Sequence, residues 1–184
     1  MKQLETKRVI LRPWKIEDAD SYISLVSDSA VSDAAGSERV FEKKDAGSFI
    51  ADTLIPRGCC AVVLKETQEI IGNFALISTC YSDVFRSFNG HELAFSLMQQ
   101  YWGLGLMSEI LNTVLSYSFE DLTLDFVVCA YFTDNDRCRN MISKLGFRPV
   151  FTAPSGFIRS DKTEPFETLC MLTKDDFYKE VHLS

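Results

Sequence analysis

Two glycines separated by one residue, Gly103 and Gly105, stand where an alternating stretch ends and a helical stretch begins. Glycine weakens both strands and helices, so a pair at this junction needs a physical reason. The first N–H groups of a helix have no intrahelical acceptor, and glycine lets a phosphate reach them. Glycine also permits the positive φ that turns successive N–H groups inward. The spacing predicts an anion site, although a tight turn that binds nothing explains Gly-x-Gly equally well.

The glycine pair lacks the other residues of two common phosphate motifs. It has neither the third glycine of the dinucleotide fingerprint nor the Gly-Lys-Ser/Thr of the nucleotide-triphosphate loop. The sequence therefore gives no support to either of these nucleotide-binding classes.

Glu92 and Cys138 are the two side chains whose surroundings suggest catalytic chemistry. Glu92 lies on the stretch that leads into the glycines, among apolar or small residues that would raise its pKa if it were buried. It is a candidate general base, or else a structural carboxylate that pairs across the sheet or faces solvent. Cys138 begins a helix, a place that lowers the pKa of a thiol, but its helical spacing with Met141, Ile142 and Leu145 favours packing over nucleophilic attack.

Strand and helix patterns alternate along most of the chain. Leu93, Phe95 and Leu97 lie on one side of "HELAFSLM", which is the period of a strand. The other predicted strands are "RVILRPW", "GCCAVVLK", "EIIGNFALIS", "DFVVCAYF", "FRPVFTA" and "TLCMLTK". Helical spacing is found in "IEDADSYISLVSD", "KKDAGSFIADTLI", the segment after the glycines and "DRCRNMISKLG". The order predicts an α/β fold with a mixed sheet, since the early strands form a hairpin and helices separate the later ones.

Length and composition are those of one ordinary globular domain, here predicted over residues 1–184. The chain is 46% hydrophobic and 24% charged. It has no apolar run of about 20 residues and no signal-peptide core at its start, so we expect a cytoplasmic protein without a membrane partner. The net charge of −7 argues against a nucleic-acid partner and weakly favours a cationic one.

The sequence contains six cysteines and two histidines, and their number and spacing limit the possible redox and metal chemistry. The cysteines form no C-x-x-C pair and stand mostly in apolar runs, which is typical of reduced, packed thiols rather than of disulfides or zinc ligands. We therefore expect no metal site. His91, beside Glu92 but on the opposite strand face, is predicted to lie at the surface or at a pocket edge.

Three separated motifs resemble the GNAT N-acetyltransferases. The stretch from Gln100 through Tyr101, Trp102, Gly103 and Leu104 to Gly105 resembles the family signature Q/R-x-x-G-x-G/A. The longer string "HELAFSLMQQYWGLGLMSEIL" is similar to the RimJ/RimL-like branch, which acetylates the N-termini of ribosomal proteins. The opening "LETKRVILRPWKIEDADSY" and the later "NDRCRNMISKLGF" are also similar to that branch, so the resemblance covers nearly the whole chain.

The resemblance implies a single GNAT domain that binds acetyl-CoA. Its sheet would be mixed and mostly antiparallel, flanked by about four helices and splayed between the fourth and fifth predicted strands. The pantetheine arm would pair with backbone at Phe95, Ser96 and Leu97, and the pyrophosphate would sit on N–H groups of the glycine loop. The implied loop residues are Gln100, Trp102, Gly103, Leu104, Gly105 and Leu106. Asn135 would contact the pantetheine amides as well as cap a helix, and Cys138 would pack beside the cofactor.

The implied reaction is direct transfer of the acetyl group to a primary amine. Glu92 would accept the proton of the amine, and backbone N–H near Leu97 would stabilise the oxyanion. Ile142 stands where several relatives carry a tyrosine acid, so water, Ser96 or Tyr131 would protonate the thiolate. Leu104 stands where relatives often carry Lys or Arg. Helix residues 137, 139 and 144, two arginines and a lysine, could bind the nucleotide phosphate or form a solvated basic face.

Two classes of function remain open from the sequence. The favoured one is N-acetylation of a protein N-terminus, a polyamine, an aminoglycoside or an amino-acid-like metabolite. The alternative is a non-catalytic acyl-CoA-binding or interaction module that kept the fold and lost the chemistry. Loops at residues 27–41, 78–90 and 152–166 would select the acceptor.

Overall fold

The computed structural model describes residues 2–36, 43–78 and 88–181. The chain divides into two units, and each combines two separate stretches of sequence. The first unit comprises Met1–Ile77 and Ala94–Thr113, and the second comprises Ser78–Leu93 and Val114–Ser184. The assignment of residues 1–184 to one domain stays a prediction. The central part of the loop predicted at 78–90 lies outside the described residues.

The first unit contains the following strands of the sheet. They are β1 (Leu4–Glu5), β2 (Val9–Pro13), β3 (Cys60–Leu64), β4 (Ile70–Ser78) and the second half of β5 (Gly90–Leu97). β2 pairs with both β1 and β3, and β3 pairs with β4. The predicted hairpin of two apolar runs is thus confirmed. Fully buried Val9 and Leu11 alternate along β2, as one apolar face requires.

The first unit contains the following described α-helices. They are α1 (Ala19–Ser27), α2 (Ser29–Ala35), α3 (Lys43–Phe49), which continues as a π-helical turn over Ile50–Leu54, and the first eight residues of α4 (Leu106–Ser116). Residues of α2 were predicted to be loop. Asp28 caps that helix by accepting from the Ala30 N–H at 2.9 Å, and Gly36, with φ of 63°, ends it.

A cluster of buried side chains fills the first unit. Trp14 is 2% exposed and meets Tyr22 edge to face at 5.4 Å between ring centroids. The indole N–H of Trp14 donates to Oδ1 of Asn73 at 2.8 Å, so its one polar group is satisfied. This core joins α1 and α3 to the faces of β3 and β4.

The second unit carries the parallel pair and the closing strands. The first half of β5 pairs in parallel with β6 (Phe126–Phe132), from Gly90↔Phe126 to Leu93↔Cys129. After α5 (Asp136–Lys144) and β7 (Arg148–Pro154), strand β8 (Phe166–Thr173) pairs antiparallel with both β6 and β7. The final helix is α6 (Lys174–Val181). Its N-terminus is capped by Thr173, whose Oγ1 accepts from the Asp176 N–H at 3.2 Å.

The α/β class with a mostly antiparallel sheet is confirmed. Strands β5 and β6, which are the fourth and fifth predicted strands, form a parallel pair. The splay was predicted between these two strands. The described residues form six α-helices where apolar spacing predicted about four, because α2 has only seven residues and α6 is short and largely polar. No described helix is both long and apolar enough to cross a membrane. Among the described cysteines, those at 59, 60, 129, 138 and 170 are free thiols, and Cys80 lies outside the described residues.

Candidate active site

The glycine loop lies between β5 and α4 with the backbone conformation that the sequence predicts. Gly103 has φ of 77° and Gly105 has φ of 73°, and α4 begins one residue later. A Cβ built at Gly103 would meet no atom within 4 Å. Crowding therefore does not explain this glycine, whereas the left-handed backbone does. Open space above it leaves the backbone accessible to a ligand.

The Tyr-Trp pair that precedes the glycines anchors the loop. The Tyr101 hydroxyl donates to Oε2 of Glu69 at 2.7 Å, and the Trp102 indole N–H donates to the Leu97 carbonyl oxygen at 2.7 Å. The backbone N–H of Trp102 donates to the Gln99 carbonyl oxygen at 3.0 Å, so this predicted pyrophosphate donor is already engaged. An anion site on this loop would therefore begin at Gly103.

Arg8 and Glu109 hold the other side of the loop, and neither was among the predicted site residues. Glu109, in the first turn of α4, accepts from the Arg8 backbone N–H at 2.8 Å and from Arg8 Nε at 2.7 Å. Arg8 Nη1 donates to the Leu104 carbonyl oxygen at 2.9 Å. Burial acts to raise the pKa of Glu109, but hydrogen bonds from Thr6 and Arg8 and the charge of Arg8 lower it to about 2. Glu109 is therefore ionised at neutral pH.

The remaining predicted cofactor residues of the first unit lie along the end of β5 and the loop. Phe95 and Ser96 are half-buried, Leu97 is buried, and Gln100 is exposed. Leu104 is 56% exposed, whereas Leu106, the first residue of α4, is buried. Their contact with coenzyme A stays a prediction.

Glu92 lies in the parallel-paired half of β5, in the second unit. It is half-buried, and burial together with the nearby charge of Glu167 raises the pKa of its carboxyl group. Within the described ranges, no hydrogen bond or ion pair satisfies the Glu92 carboxylate. A paired structural role thus has no partner in the described part of the second unit, and the raised pKa makes this carboxylate a stronger base than an ordinary glutamate.

Asn135 performs the predicted helix-capping role. Its Oδ1 accepts from the Cys138 N–H at 3.1 Å, at the start of α5. This bond satisfies one of the first N–H groups of the helix. The contact of Asn135 with pantetheine amides stays a prediction.

Cys138 has the character of a packed thiol. Burial, with a smaller contribution from nearby Cys170, raises its pKa to about 11 despite the opposing charge of Arg137. At that value only about one thiol in 10⁴ is ionised at neutral pH. The helix N-terminus does not overcome the cost of burying the thiolate, so the structure favours the predicted packing role.

Two further side chains of α5 bear on the predicted chemistry. Ile142, in the place of the relatives' tyrosine, is 1% exposed and belongs to the core. Arg139 pairs with Asp136 at 2.8 Å on the exposed surface, as in a solvated helix face. Protonation of a leaving thiolate by Ser96, Tyr131 or water stays a prediction.

A strand that leads through a positive-φ glycine loop into a helix is an arrangement of α/β proteins whose free N–H groups suit an anion. Residues 8–148 match the family model described as an acetyltransferase (GNAT) domain, so this chain belongs to the GNAT acetyltransferase family. The chain is 27% identical over 150 residues to the uncharacterized N-acetyltransferase YoaA of Bacillus subtilis, covering 79% of this chain and 82% of YoaA.

Solved structures share the fold. A GNAT-family acetyltransferase from Bacillus anthracis superimposes with a TM-score of 0.78 at 17% identity, covering 94% of this chain and 99% of that one. The ribosomal-protein-S5-alanine acetyltransferase from Vibrio fischeri gives a TM-score of 0.76 at 19% identity, covering 96% and 99%. The predicted family is therefore confirmed, and structural neighbours include enzymes of the predicted branch.

Proposed function

We propose that this protein is an acetyl-CoA-dependent N-acetyltransferase that moves the acetyl group directly to a primary amine. The observation that carries the proposal is the glycine loop, in which Gly103 and Gly105 both adopt positive φ immediately before α4. Membership of the acetyltransferase family supports the same chemistry. The cytoplasm, expected from the sequence, would supply the acetyl donor.

The first unit would hold the pyrophosphate and the pantetheine arm of coenzyme A. Backbone N–H groups from Gly103 to Leu106 would bind the pyrophosphate, aided by the dipole of α4. The open space above Gly103 fits this role, since a side chain there would stand between the anion and the backbone. Extended backbone at Phe95, Ser96 and Leu97 would pair with the pantetheine amides as an added strand does. Gln100 and the indole of Trp102 would act by shaping the loop.

Glu92 is the proposed general base. An ammonium group cannot attack a carbonyl, so the acceptor must first lose a proton. Glu92 would accept this proton, directly or through one water, because its carboxylate is half-buried and its raised pKa makes it a stronger base than an ordinary glutamate. Bound acetyl-CoA supplies the thioester whose C–S bond breaks as the new N–C bond forms. We propose that Asn135 contacts pantetheine while it caps α5, and that Cys138 packs beside the cofactor.

The oxyanion and the leaving thiolate need separate donors. Backbone N–H near Leu97 would stabilise the oxyanion. We assign protonation of the thiolate to water, Ser96 or Tyr131, because buried Ile142 has no proton to give.

The proposed acceptor is a protein N-terminal α-amine or a small-molecule amine. The structural neighbour from Vibrio fischeri is described as acting on alanine of ribosomal protein S5, which favours the first class. The net charge of −7 would also help to gather a cationic acceptor.

A non-catalytic acyl-CoA-binding module is the alternative, and one observation favours it. Ile142 fills the place of the relatives' tyrosine acid with a fully buried aliphatic side chain. Such a protein would bind acetyl-CoA but would not release its thiol in the presence of amines.

A thiol-release assay with acetyl-CoA and a mixed panel of amines tests the proposal. The panel should include peptides with free N-termini, polyamines, aminoglycosides and amino acids. We expect amine-dependent release of free thiol and a product 42 Da heavier by mass spectrometry, the mass of one acetyl group less one hydrogen. Binding of acetyl-CoA without any amine-dependent release would favour the alternative, and absence of binding would contradict both.

A further inference from the structure

We propose that Arg8 is a positioning residue for the glycine loop, which fixes the Leu104–Gly105 peptide so that the Gly105 N–H faces the bound anion. The inference rests on the proposed coenzyme A function and deepens it. It assigns to Arg8, which lies immediately before β2 and 96 residues from Leu104 along the chain, a part in building the pyrophosphate site.

The carbonyl contact of Arg8 determines the direction of the next N–H. In a trans peptide the C=O of one residue and the N–H of the following residue point in opposite directions, and the described chain contains no cis peptide bond. Arg8 Nη1 holds the Leu104 carbonyl oxygen at 2.9 Å. The Gly105 N–H must therefore point away from the guanidinium, and Leu104 cannot turn its carbonyl oxygen toward an anion while this bond lasts.

The peptide on the other side of Gly105 is fixed as well. The Gly105 carbonyl oxygen accepts from the Glu109 N–H at 3.1 Å. The side chain of Glu109 accepts from Arg8 at 2.8 Å and 2.7 Å. One cluster, Arg8 with Glu109, thus holds both carbonyl groups that flank the left-handed glycine. A flexible glycine loop held in one conformation binds its ligand without a further loss of backbone entropy.

Arg8 also offsets the charge of Glu109. An ionised carboxylate in the first turn of α4 repels an anion at that helix end, and Arg8 offsets its charge through an ion pair of 2.7 Å between Nε and Oε2. A Cβ at Gly105 would lie 3.7 Å from Arg8 Nη2, which places the guanidinium beside the loop backbone. Leu104, exposed where relatives often carry a cation, brings no charge to the loop. Arg8 supplies that charge from the segment immediately before β2.

Two variants test the inference, with coenzyme A as the probe. Arg8→Met removes the carbonyl contact and the ion pair. The double variant Arg8→Met with Glu109→Gln also removes the carboxylate charge that Arg8 neutralises. The matched control is Arg12→Met with Asp18→Asn, which removes a different arginine–carboxylate ion pair, made from β2, with N–O distances of 2.7 Å and 2.9 Å.

Calorimetry should show that the dissociation constant of coenzyme A rises about tenfold in both Arg8 variants and changes less than twofold in the control. Residual dipolar couplings of the ligand-free proteins should show a changed Gly105 N–H direction in both Arg8 variants but not in the control variant. A double variant that binds as tightly as the wild type, or an unchanged Gly105 direction, would overturn the positioning role. A folded wild type that does not bind coenzyme A would instead overturn the proposed function, and the inference with it.

Discussion

Replacing Glu92 by glutamine is expected to lower kcat by about 10²-fold at neutral pH, because glutamine keeps the shape of the side chain and cannot take up a proton. A positioned general base contributes roughly 10² to 10⁴ in rate. Half-burial sets the expectation at the lower end of this range, since water that reaches the carboxylate can replace part of its function. Activity of the variant should recover partly as pH rises and free amine accumulates.

The assay is a pH–rate profile of both proteins with a saturating acetyl donor and one identified acceptor. In the wild type, activity should fall on the acidic side as Glu92 gains a proton, at a pH above the ordinary carboxyl pKa of 4.5. Glu167→Gln should move this fall to lower pH, because it removes the like charge that helps to raise the pKa of Glu92. The matched control is Glu120→Gln, at an exposed glutamate of the second unit. It should leave the pH of the acidic fall in activity unchanged.

Replacing Glu92 by glutamine should lower activity but should not lower stability. A carboxyl group whose pKa is raised by folding binds its proton more tightly in the folded state, so its contribution to stability falls as pH rises above 4.5. Glu92→Gln should therefore unfold at an equal or higher denaturant concentration than the wild type at pH 7, and the difference should vanish in acid. If the two rate profiles share one shape and one plateau, Glu92 is structural and the enzyme acts by positioning alone.

Substitutions at Cys138, Asn135 and Gly72 have expected outcomes. Cys138→Ser should keep most activity, because the buried thiol with its pKa of about 11 is not a nucleophile, and an acetyl adduct on Cys138 in intact-mass spectra would refute this. Asn135→Asp should keep the helix cap, whereas Asn135→Ala should cost about 1 kcal/mol of unfolding free energy. A weaker affinity of Asn135→Asp for coenzyme A would show a separate cofactor contact, and unchanged affinity would limit Asn135 to capping. Gly72→Ala should destabilise by about 1–3 kcal/mol in denaturant titrations, because its Cβ would overlap the Ser96 carbonyl oxygen. Gly47→Ala, with its nearest atom at 3.7 Å, is the control and should unfold no earlier than the wild type.

Local features of the chain were predictable from sequence because they depend on neighbouring residues. The positive φ of Gly103 and Gly105 follows from a strand that turns directly into a helix, and the Asn135 cap follows from its place before an amphipathic segment. The sequence favoured a packed thiol at Cys138, but how far burial outweighs the helix start in raising its pKa depends on tertiary packing.

Contacts between distant segments were not predictable in the same way. Nothing in the opening strand indicates that Arg8 reaches a carbonyl 96 residues later, although the glutamate inside the following helix was part of the motif. Short helix α2 was missed because its seven residues are too few to show a helical period. Its ends are defined by caps, at Asp28 and at Gly36. Selection of the acceptor depends on loops whose conformation the sequence does not specify.

The central claim is that the loop at Gly103 and Gly105 binds coenzyme A. The most direct test is a calorimetric titration of coenzyme A into the wild type and Gly105→Glu, with circular dichroism to verify that both are folded. The account predicts that the glutamate, an anion placed at the pyrophosphate site, raises the dissociation constant by at least tenfold. Equal affinity of the two folded proteins would contradict it.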